Sequence, residues 1–495
     1  MSKFPSNLLT VYAANGLNGV VSVIAIPVVV RLLGLSGYGL LSFYALMGSY
    51  ILLADLGIGK NLLRLLAEPR DAEAKRRQVR VAAGLYVVLC LAWLGAAPFL
   101  LMLVPRYLFP VAHQYVAGLQ WIVVLSIAEF ALGIPASLMQ TACVAEQRFD
   151  SYAAYTLLSG LLRSAALIGG ALVFRSPEGV AAVLAARKVF ELFVAGRLLG
   201  WLPAGAWRPI FELRSFRAML GQSIALSASQ VLTSTLMSIG SLFVNAAFGL
   251  HALGVYRAAY DLAGKIAFVS NGVTLVVFPK AAQYFGSASL KGAGPIFAAV
   301  LRASTSLYTC FAAAMVLAAP FMLPAIGLND RATVRLFLLL VVALSLNAHS
   351  LIGNELMQAA GRYVRSICYS GSALATLTVL FASLKTAEGV MAIGWAWIGA
   401  ALVSATIADA LLLGLCGARR TDQISTVLVK LVATAGCLCL AAPRFSAVAN
   451  PAATICGVTL MTGVAAAAAR GMLPLARTWR NGEAAAPEAR PAVWA

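Results

Sequence analysis

The sequence predicts an all-α membrane protein of about 14 transmembrane helices, in which two six-helix repeats form a V-shaped, two-lobe body followed by two C-terminal helices. Composition is the first reason: of 495 residues, 61% are hydrophobic and only 11% are charged, with a mean hydropathy of +0.87. A soluble domain carries about 25% charged residues, so this chain cannot supply the polar surface of a soluble globule. The other two reasons are the succession of long apolar runs and an internal repeat at an interval of about 215 residues.

The apolar runs are the elements of the predicted fold, because about 20 largely apolar residues are enough for one helix to cross the hydrocarbon core. Short connections separate the runs, and none of them is long enough to form a sizeable soluble domain. The candidate spans are residues 8–30, 38–58, 80–104, 115–141, 152–174, 179–202, 218–247, 253–278, 296–326, 333–358, 364–384, 390–416, 425–443 and 450–470.

Positive charges predict the orientation of these spans, since cytoplasmic loops are enriched in Lys and Arg. With both termini inside, the segment after the second span places Lys75, Arg76, Arg77 and Arg80 in the cytoplasm. Over the whole chain, positive charges inside outnumber those outside by about three to one. The formal net charge of +19 is therefore explained by membrane topology and not by nucleic acid, because no basic stretch lies on a soluble domain.

An internal repeat divides the chain into two halves. Gly34 and Gly39, at the junction of the first and second spans, correspond to Gly249 and Gly254, at the junction of the seventh and eighth. Farther on, "SLMQTACVAEQRF" in the first half parallels "ELMQAAGRYVRSICY" in the second. The predicted domains are an N-lobe of spans 1–6 (1–202), a C-lobe of spans 7–12 (203–418), two extra spans (419–471) and a disordered cytoplasmic tail (472–495).

The two repeats run parallel because each holds an even number of spans, and this architecture is typical of secondary transporters, whose substrates bind near the midplane between the lobes. The sequence contains no phosphate-binding loop for ATP, so a gradient would have to drive transport. Eight cysteines and three histidines show no spacing typical of a metal site or a disulfide framework. We expect no cofactor.

Ionisable groups inside spans are expensive and are functional candidates by default. Arg and Lys suit phosphate, whereas exporters of cationic drugs need carboxylates in their cavity. Arg163 is favoured as a cavity residue because no acidic partner lies within four residues of it. We predict that at most one of Arg187 and Lys188 faces the cavity, since neighbouring helix residues point in different directions. The predicted substrate-binding residues are Arg163, Arg187, Lys265, Arg257, Asn15 and Asn18.

Acidic residues inside spans have two interpretations. Asp261 lies one turn from both Arg257 and Lys265 on one helix face. It either contributes to a wet cavity or neutralises these two neighbours, and we favour the second interpretation. The candidates for carrying a coupling ion are Asp261, Asp409 and Glu355, although for Asp409 and Glu355 we favour a structural pairing.

Four further polar positions have more than one interpretation in the sequence. Glu191 pairs within its own helix, with Arg187 or Lys188, if its role is structural. Asn15 and Asn18 either hydrogen-bond a sugar or join helices. Asp55, in "LLADLGIGKNLLRLLAE", marks the cytoplasmic end of the second span and is a candidate for closing an inner gate.

Two segments resemble polysaccharide biosynthesis (Wzx-type) transporters. "RLLGLSGYGLLSFYALMGSYILLADLGIGKNLLRLLAE" resembles the N-terminal signature of that family, with its Gly-Tyr-Gly before the second span and its Asp-Leu-Gly after it. "GVYRAAYDLAGKIAFVSNGVTLVVFPKAA" is similar to the corresponding segment of the second half. The lipid II flippase branch is a poorer match, because its first span typically carries an Arg–Asp pair where this chain has Asn15 and Asn18.

The resemblance implies membership of the multidrug/oligosaccharidyl-lipid/polysaccharide transporter superfamily. It implies that the protein flips undecaprenyl-diphosphate-linked oligosaccharides across the bacterial inner membrane for O-antigen, capsule or exopolysaccharide, and that it rocks between inward- and outward-facing states. The implied partners are the lipid-linked oligosaccharide, membrane lipids, and a polysaccharide polymerase with its chain-length regulator. The alternatives are a proton- or sodium-coupled multidrug or cation antiporter of the same fold, a membrane glycan polymerase or ligase, and a scaffold.

Overall fold

A computed structural model describes residues 4–53, 58–67, 72–146, 148–200, 208–266, 294–325, 331–359 and 362–445. Within these ranges every regular element is a helix, as the sequence predicts. The chain packs as two compact units, Met1–Leu262 and Ala263–Ala495.

The first unit is built around α1, which packs against α4, α5 and α6, while α2 packs against α3 and α4. A π-helical turn, Val104–Leu108, and a 3-10 turn, His113–Tyr115, lie between α3 and α4. Pro177 opens α6, and the Ser176 hydroxyl caps it by accepting a hydrogen bond from the Gly179 amide at 3.2 Å. The helices are α1 (Phe4–Leu53), α2 (Ile58–Ala67), α3 (Ala72–Leu103), α4 (Val116–Ala145), α5 (Phe149–Phe174), α6 (Pro177–Leu198) and α7 (Leu213–Ala263).

Glycine breaks α1 and α7 at equivalent positions of the repeat. Gly34 has φ 72° and ψ 169°, and Gly249 has φ 80° and ψ −178°. A residue with a Cβ rarely adopts this positive φ, whereas glycine adopts it without steric cost. Each long helix therefore contains two straight segments, as expected for the first and second spans and for the seventh and eighth.

The second unit is centred on α9, whose residues from Leu336 to Val342 are all buried. This stretch is apolar on every side, which suits a helix that packs against α8, α10, α11 and α12. A 3-10 turn, Gly264–Ile266, begins the unit. Its helices are α8 (Gly294–Ala325), α9 (Arg331–Ala359), α10 (Tyr363–Glu388), α11 (Met391–Leu415) and α12 (Arg420–Phe445).

The chain is a multi-pass membrane protein. Nine of the described helical stretches are long and apolar enough to cross a membrane, and two of them, Gly16–Gly48 and Val231–Ile266, contain the glycine breaks. Large apolar side chains such as Val173 and Phe321 are 73% and 82% exposed, as suits contact with lipid. The described helices match the predicted spans as far as residue 443, apart from 54–57, 201–202, 267–278 and 326, which the structure does not describe. The predicted span 450–470 also lies outside the described residues, so the total of fourteen stays a prediction.

Candidate functional site

A polar cavity of about 630 Å³ lies within the first unit, between α1, α3, α4, α5 and α6. Its walls combine aromatic rings, including Tyr86 and Tyr152, with hydroxyl, amide and charged groups. Five ionisable side chains of Lys, Arg and Glu type line it. They are Glu129, Arg163, Arg187, Lys188 and Glu191.

Four of these charges neutralise one another across two helices. Arg187 on α6 bridges two carboxylates, with Nη2 at 2.9 Å from Glu129 of α4 and Nη1 at 2.6 Å from Glu191. Lys188 Nζ lies 3.1 Å from the same Glu191 oxygen. The other Glu191 oxygen accepts hydrogen bonds from Tyr155, at 2.9 Å, and Ser159, at 2.6 Å. Because Glu191 is only 3% exposed, this full set of partners is what makes its charge tolerable inside the bundle.

Arg163 is the uncompensated cation of the cavity. It projects from α5 with its side chain exposed to the cavity, and it forms no ion pair with any described residue. The other four charged groups sum to zero, so the cavity carries one net positive charge. A guanidinium with several free N–H groups is suited to bind a carboxylate or a phosphate.

Asn18 reaches the cavity from α1, and its amide packs against Gly160 of α5. Its Nδ2 donates to the Thr156 carbonyl at 2.9 Å, whereas its Oδ1 is buried and accepts no hydrogen bond within the described part of the chain. A Cβ at position 160 would overlap the Asn18 amide, so only glycine at that position leaves room for it. The Nε of Arg187 is also buried without a hydrogen-bond partner among the described residues. Buried polar groups are nearly always paired, so these two atoms mark places for a ligand or for water.

A second charged cluster in the first unit joins α1 to α7. Arg257 Nη2 lies 2.6 Å from Asp261 Oδ1, and Tyr38 donates to Asp261 Oδ2 at 2.7 Å. Arg257 Nη1 reaches the Ser241 hydroxyl at 3.5 Å, and its guanidinium stacks 5.2 Å from the centre of the Tyr260 ring. The favoured interpretation of Asp261 as the neutralising partner of Arg257 agrees with this geometry. Neither residue lines the cavity of about 630 Å³.

The second unit holds a buried ion pair between α11 and α12. Lys430 Nζ contacts an Asp409 oxygen and donates to the Ala405 carbonyl at 3.1 Å. Both side chains are only 2% exposed. Beside this pair, Arg302 of α8 donates to Ser425 of α12 at 2.8 Å. The pairs fix α12 to the rest of its unit.

Outside the spans, basic residues cluster where the beginning of α3 contacts the segment before α7. Arg77 donates to Glu212 at 2.8 Å, and Arg80 donates to the Arg208 carbonyl at 2.9 Å. Hydrogen bonds from Ser215 and from Arg77 lower the pKa of the Glu212 carboxyl. Both segments belong to loops that the sequence predicts to be cytoplasmic, so their contact agrees with that topology.

The structure brings three predicted binding residues, Asn18, Arg163 and Arg187, to one cavity. The expectation that at most one of Arg187 and Lys188 faces it is wrong, because both line it. The aliphatic stem of Lys188 is long enough to bring its ammonium group round the helix to Glu191.

Other predicted residues lie elsewhere or outside the described part. Arg257 and Asp261 form the separate α1–α7 cluster, Lys265 lies in the 3-10 turn of the second unit, and Asp409 pairs with Lys430. Asp55 lies outside the described residues, and so do the side chains of Asn15 and Glu355.

Sequence reasoning overlooked Ser159 and Gly160, which nothing in the sequence distinguishes from other span residues. Tyr38 belongs to the Gly-Tyr-Gly of the family signature, but the sequence does not indicate its contact with Asp261. Sequence reasoning also overlooked Lys430, although a lysine in the middle of the predicted span 425–443 was a usable signal.

Among comparisons with known proteins, one family model shows the family and the solved structures show the fold. The family model described as polysaccharide biosynthesis protein matches residues 6–285. A solved structure of the lipid II flippase MurJ, in an inward closed conformation, matches with a TM-score of 0.65 at 9% identity, covering 94% of this chain and 100% of that one. An inward-facing multidrug resistance MATE transporter of the MOP superfamily matches with a TM-score of 0.56 at 16% identity, covering 86% and 95%. A search of curated proteins found no match. At these identities the solved structures show a shared fold and no more.

Proposed function

Because the chain belongs to the polysaccharide biosynthesis protein family, we propose that it is an inner-membrane flippase for undecaprenyl-diphosphate-linked oligosaccharides, serving O-antigen, capsule or exopolysaccharide synthesis by alternating access. The observation that carries this proposal is the polar cavity among membrane-spanning helices, in which Arg163 forms no ion pair with any residue of the described ranges. A water-filled cavity of this kind gives a glycan headgroup a route past the hydrocarbon core. The polyprenyl tail stays in the lipid.

The proposed roles follow from the polar groups and aromatic rings that line the cavity. Arg163 holds an anionic group of the headgroup, either the diphosphate or an acidic sugar, through charge-assisted hydrogen bonds worth about 1.5–3 kcal/mol each. The Asn18 Oδ1 accepts from a sugar hydroxyl, and the Arg187 Nε donates to a sugar oxygen. Tyr86 and Tyr152 offer rings to the apolar faces of the sugars. None of these groups is arranged as a nucleophile with a base, so we infer transport and not glycan transfer.

Other elements of the proposal come from the sequence. The repeats 1–202 and 203–418 act as the two lobes, with 419–471 as extra spans and 472–495 as a cytoplasmic tail. Lys265 and Arg257 are further proposed substrate-binding residues, Asn15 adds an amide, and Asp55 closes the inner gate. Asp261, Asp409 and Glu355 are the proposed coupling residues, and a polymerase with its chain-length regulator receives the product.

A cell-based experiment tests this function. Deleting the gene should accumulate lipid-linked oligosaccharide in the cytoplasmic leaflet, detected as lectin binding to inside-out but not right-side-out vesicles. The wild-type gene and Arg197→Ala should restore export, since Arg197 is an exposed arginine on α6 outside the cavity. Arg163→Ala should not. A deletion strain without accumulation would refute the proposal.

The alternative is a proton- or sodium-coupled multidrug or cation antiporter, and the fold shared with a MATE transporter is the observation in its favour. The net positive charge of the cavity opposes it, because a cationic drug needs an unpaired carboxylate and both cavity glutamates are already paired. Liposomes that export a cationic dye on a proton or sodium gradient, but move no lipid-linked sugar, would favour the antiporter.

A further inference from the structure

The two glycine junctions of the repeat meet each other in the first unit. A Cβ on Gly39 would lie 2.5 Å from the Leu250 carbonyl oxygen, and a Cβ on Gly254 would overlap the carbonyl of Leu35. The repeat equates Gly39 with Gly254 and Leu35 with Leu250, so each glycine faces the same backbone group of the other repeat. A reciprocal contact of this kind is what a two-fold axis between equivalent segments produces.

A side-chain hydrogen bond between the two repeats lies next to this backbone crossing. Tyr38 precedes Gly39 in the chain, and its buried hydroxyl donates to Asp261 of α7 at 2.7 Å. The other Asp261 oxygen is held by Arg257 at 2.6 Å. Tyr38 belongs to the first repeat and Asp261 to the second, so this charge-assisted hydrogen bond ties the repeats together.

Two neighbouring contacts extend the same junction. Asn245 of α7 donates to the Pro110 carbonyl at 2.9 Å, and the Phe109 ring lies 4.5 Å from that of Phe43 on α1. The positive-inside bias places the α3–α4 connection outside the membrane, and it places both glycine junctions outside as well. Three connections predicted to be external therefore meet at this point.

We propose that these contacts form the outer seal of the transport pathway, and that separating them is the step that releases the glycan to the outside. The outer seal comprises the Gly39–Gly254 crossing and the Tyr38–Asp261 hydrogen bond. Glycine is required at both positions because any Cβ would keep the two backbones apart. The release step rests on the proposed function, whereas the seal itself is independent of what is transported.

Cysteine accessibility measures the state of the seal without any substrate. Ser241 is only 1% exposed, and its hydroxyl accepts a hydrogen bond from Arg257. Ser241→Cys in an otherwise native chain should therefore react slowly with a membrane-impermeant maleimide. Adding Gly254→Ala should raise the labelling rate strongly. Adding Tyr38→Phe should raise the labelling rate about tenfold, which corresponds to the free energy of one hydrogen bond to a charged group. Peptide mass spectrometry reads position 241 separately from the eight native cysteines.

Gly16→Ala is the matched control, because it lies on α1 and a Cβ there meets nothing within 4 Å. It should leave labelling and flipping unchanged. Tyr38→Phe removes a single oxygen atom, so it tests the seal even if Gly254→Ala does not fold. Labelling that stays at the native rate in both Gly254→Ala and Tyr38→Phe would overturn the proposal, even if flipping is normal. Faster labelling in a protein that flips no glycan would support the seal and refute the proposed function instead.

Discussion

Gly160→Ala is a single-methyl test of the cavity, because it acts on Asn18 without touching a charge. The added Cβ would lie closer than 3.0 Å to the Asn18 amide, whereas ordinary contacts are 3.4–4 Å. The amide must therefore move by about half an ångström or more, which breaks its 2.9 Å hydrogen bond to the Thr156 carbonyl. Overpacking of this kind costs about 1–3 kcal/mol, and the lost hydrogen bond adds about 1 kcal/mol.

The assays are thermal unfolding in detergent and glycan flipping in liposomes. We expect Gly160→Ala to lower the melting temperature and to slow flipping about tenfold, because the free Asn18 Oδ1 no longer faces the sugar. Gly169→Ala on the same helix is the control, since a Cβ there meets nothing within 4 Å. Adding Gly160→Ala to Asn18→Ala should cost little more, because the clash partner is gone. Wild-type stability and flipping in Gly160→Ala, or fully additive losses in the double variant, would refute this reasoning.

Two further predictions concern other parts of the chain. Lys430→Met should destabilise the protein by about 3–5 kcal/mol, because it leaves Asp409 buried without its cation, and adding Asp409→Leu should restore most of that loss in urea unfolding. If the double variant is no more stable than Lys430→Met alone, the ion-pair account is contradicted. Contacts from Ser215 and Arg77 lower the pKa of Glu212, so they persist at neutral pH and are lost as pH falls through the lowered pKa. Hydrogen exchange of the loop before α7, compared with Glu212→Gln at each pH, should show this acid-dependent step only in the native chain.

Local patterns in the sequence predict most of the fold. Apolar length places the spans, and the repeat equates Gly34 with Gly249, which share one backbone conformation in the structure. Ends of spans are visible because charge and proline interrupt apolar runs. The site is less visible, since contacts between helices depend on rotation and packing that no single sequence specifies. Arg163 was recognisable only as a cation without a local partner.

The errors of sequence reasoning have physical causes. The expectation that at most one of Arg187 and Lys188 faces the cavity fails because helix geometry gives only the direction of each Cβ, while the flexible stem of Lys188 determines where its ammonium group lies. The partner of Asp409 was missed because Lys430 is on another helix, and only packing of α11 against α12 brings them together. Gly160 has no distinguishing feature in the sequence, and the Gly-Tyr-Gly motif that contains Tyr38 does not reveal its partner. Their importance follows from which atoms lie opposite them.

Flipping by the purified protein in liposomes tests the central claim most directly. Lipid-linked oligosaccharide on the inner leaflet becomes accessible to an external lectin only if the protein moves it. We expect rapid exposure with wild type and with Arg197→Ala, and exposure about ten- to hundredfold slower with Arg163→Ala, which loses the cavity cation that no described carboxylate pairs with. No exposure with the wild-type protein, or full flipping by Arg163→Ala, would contradict it.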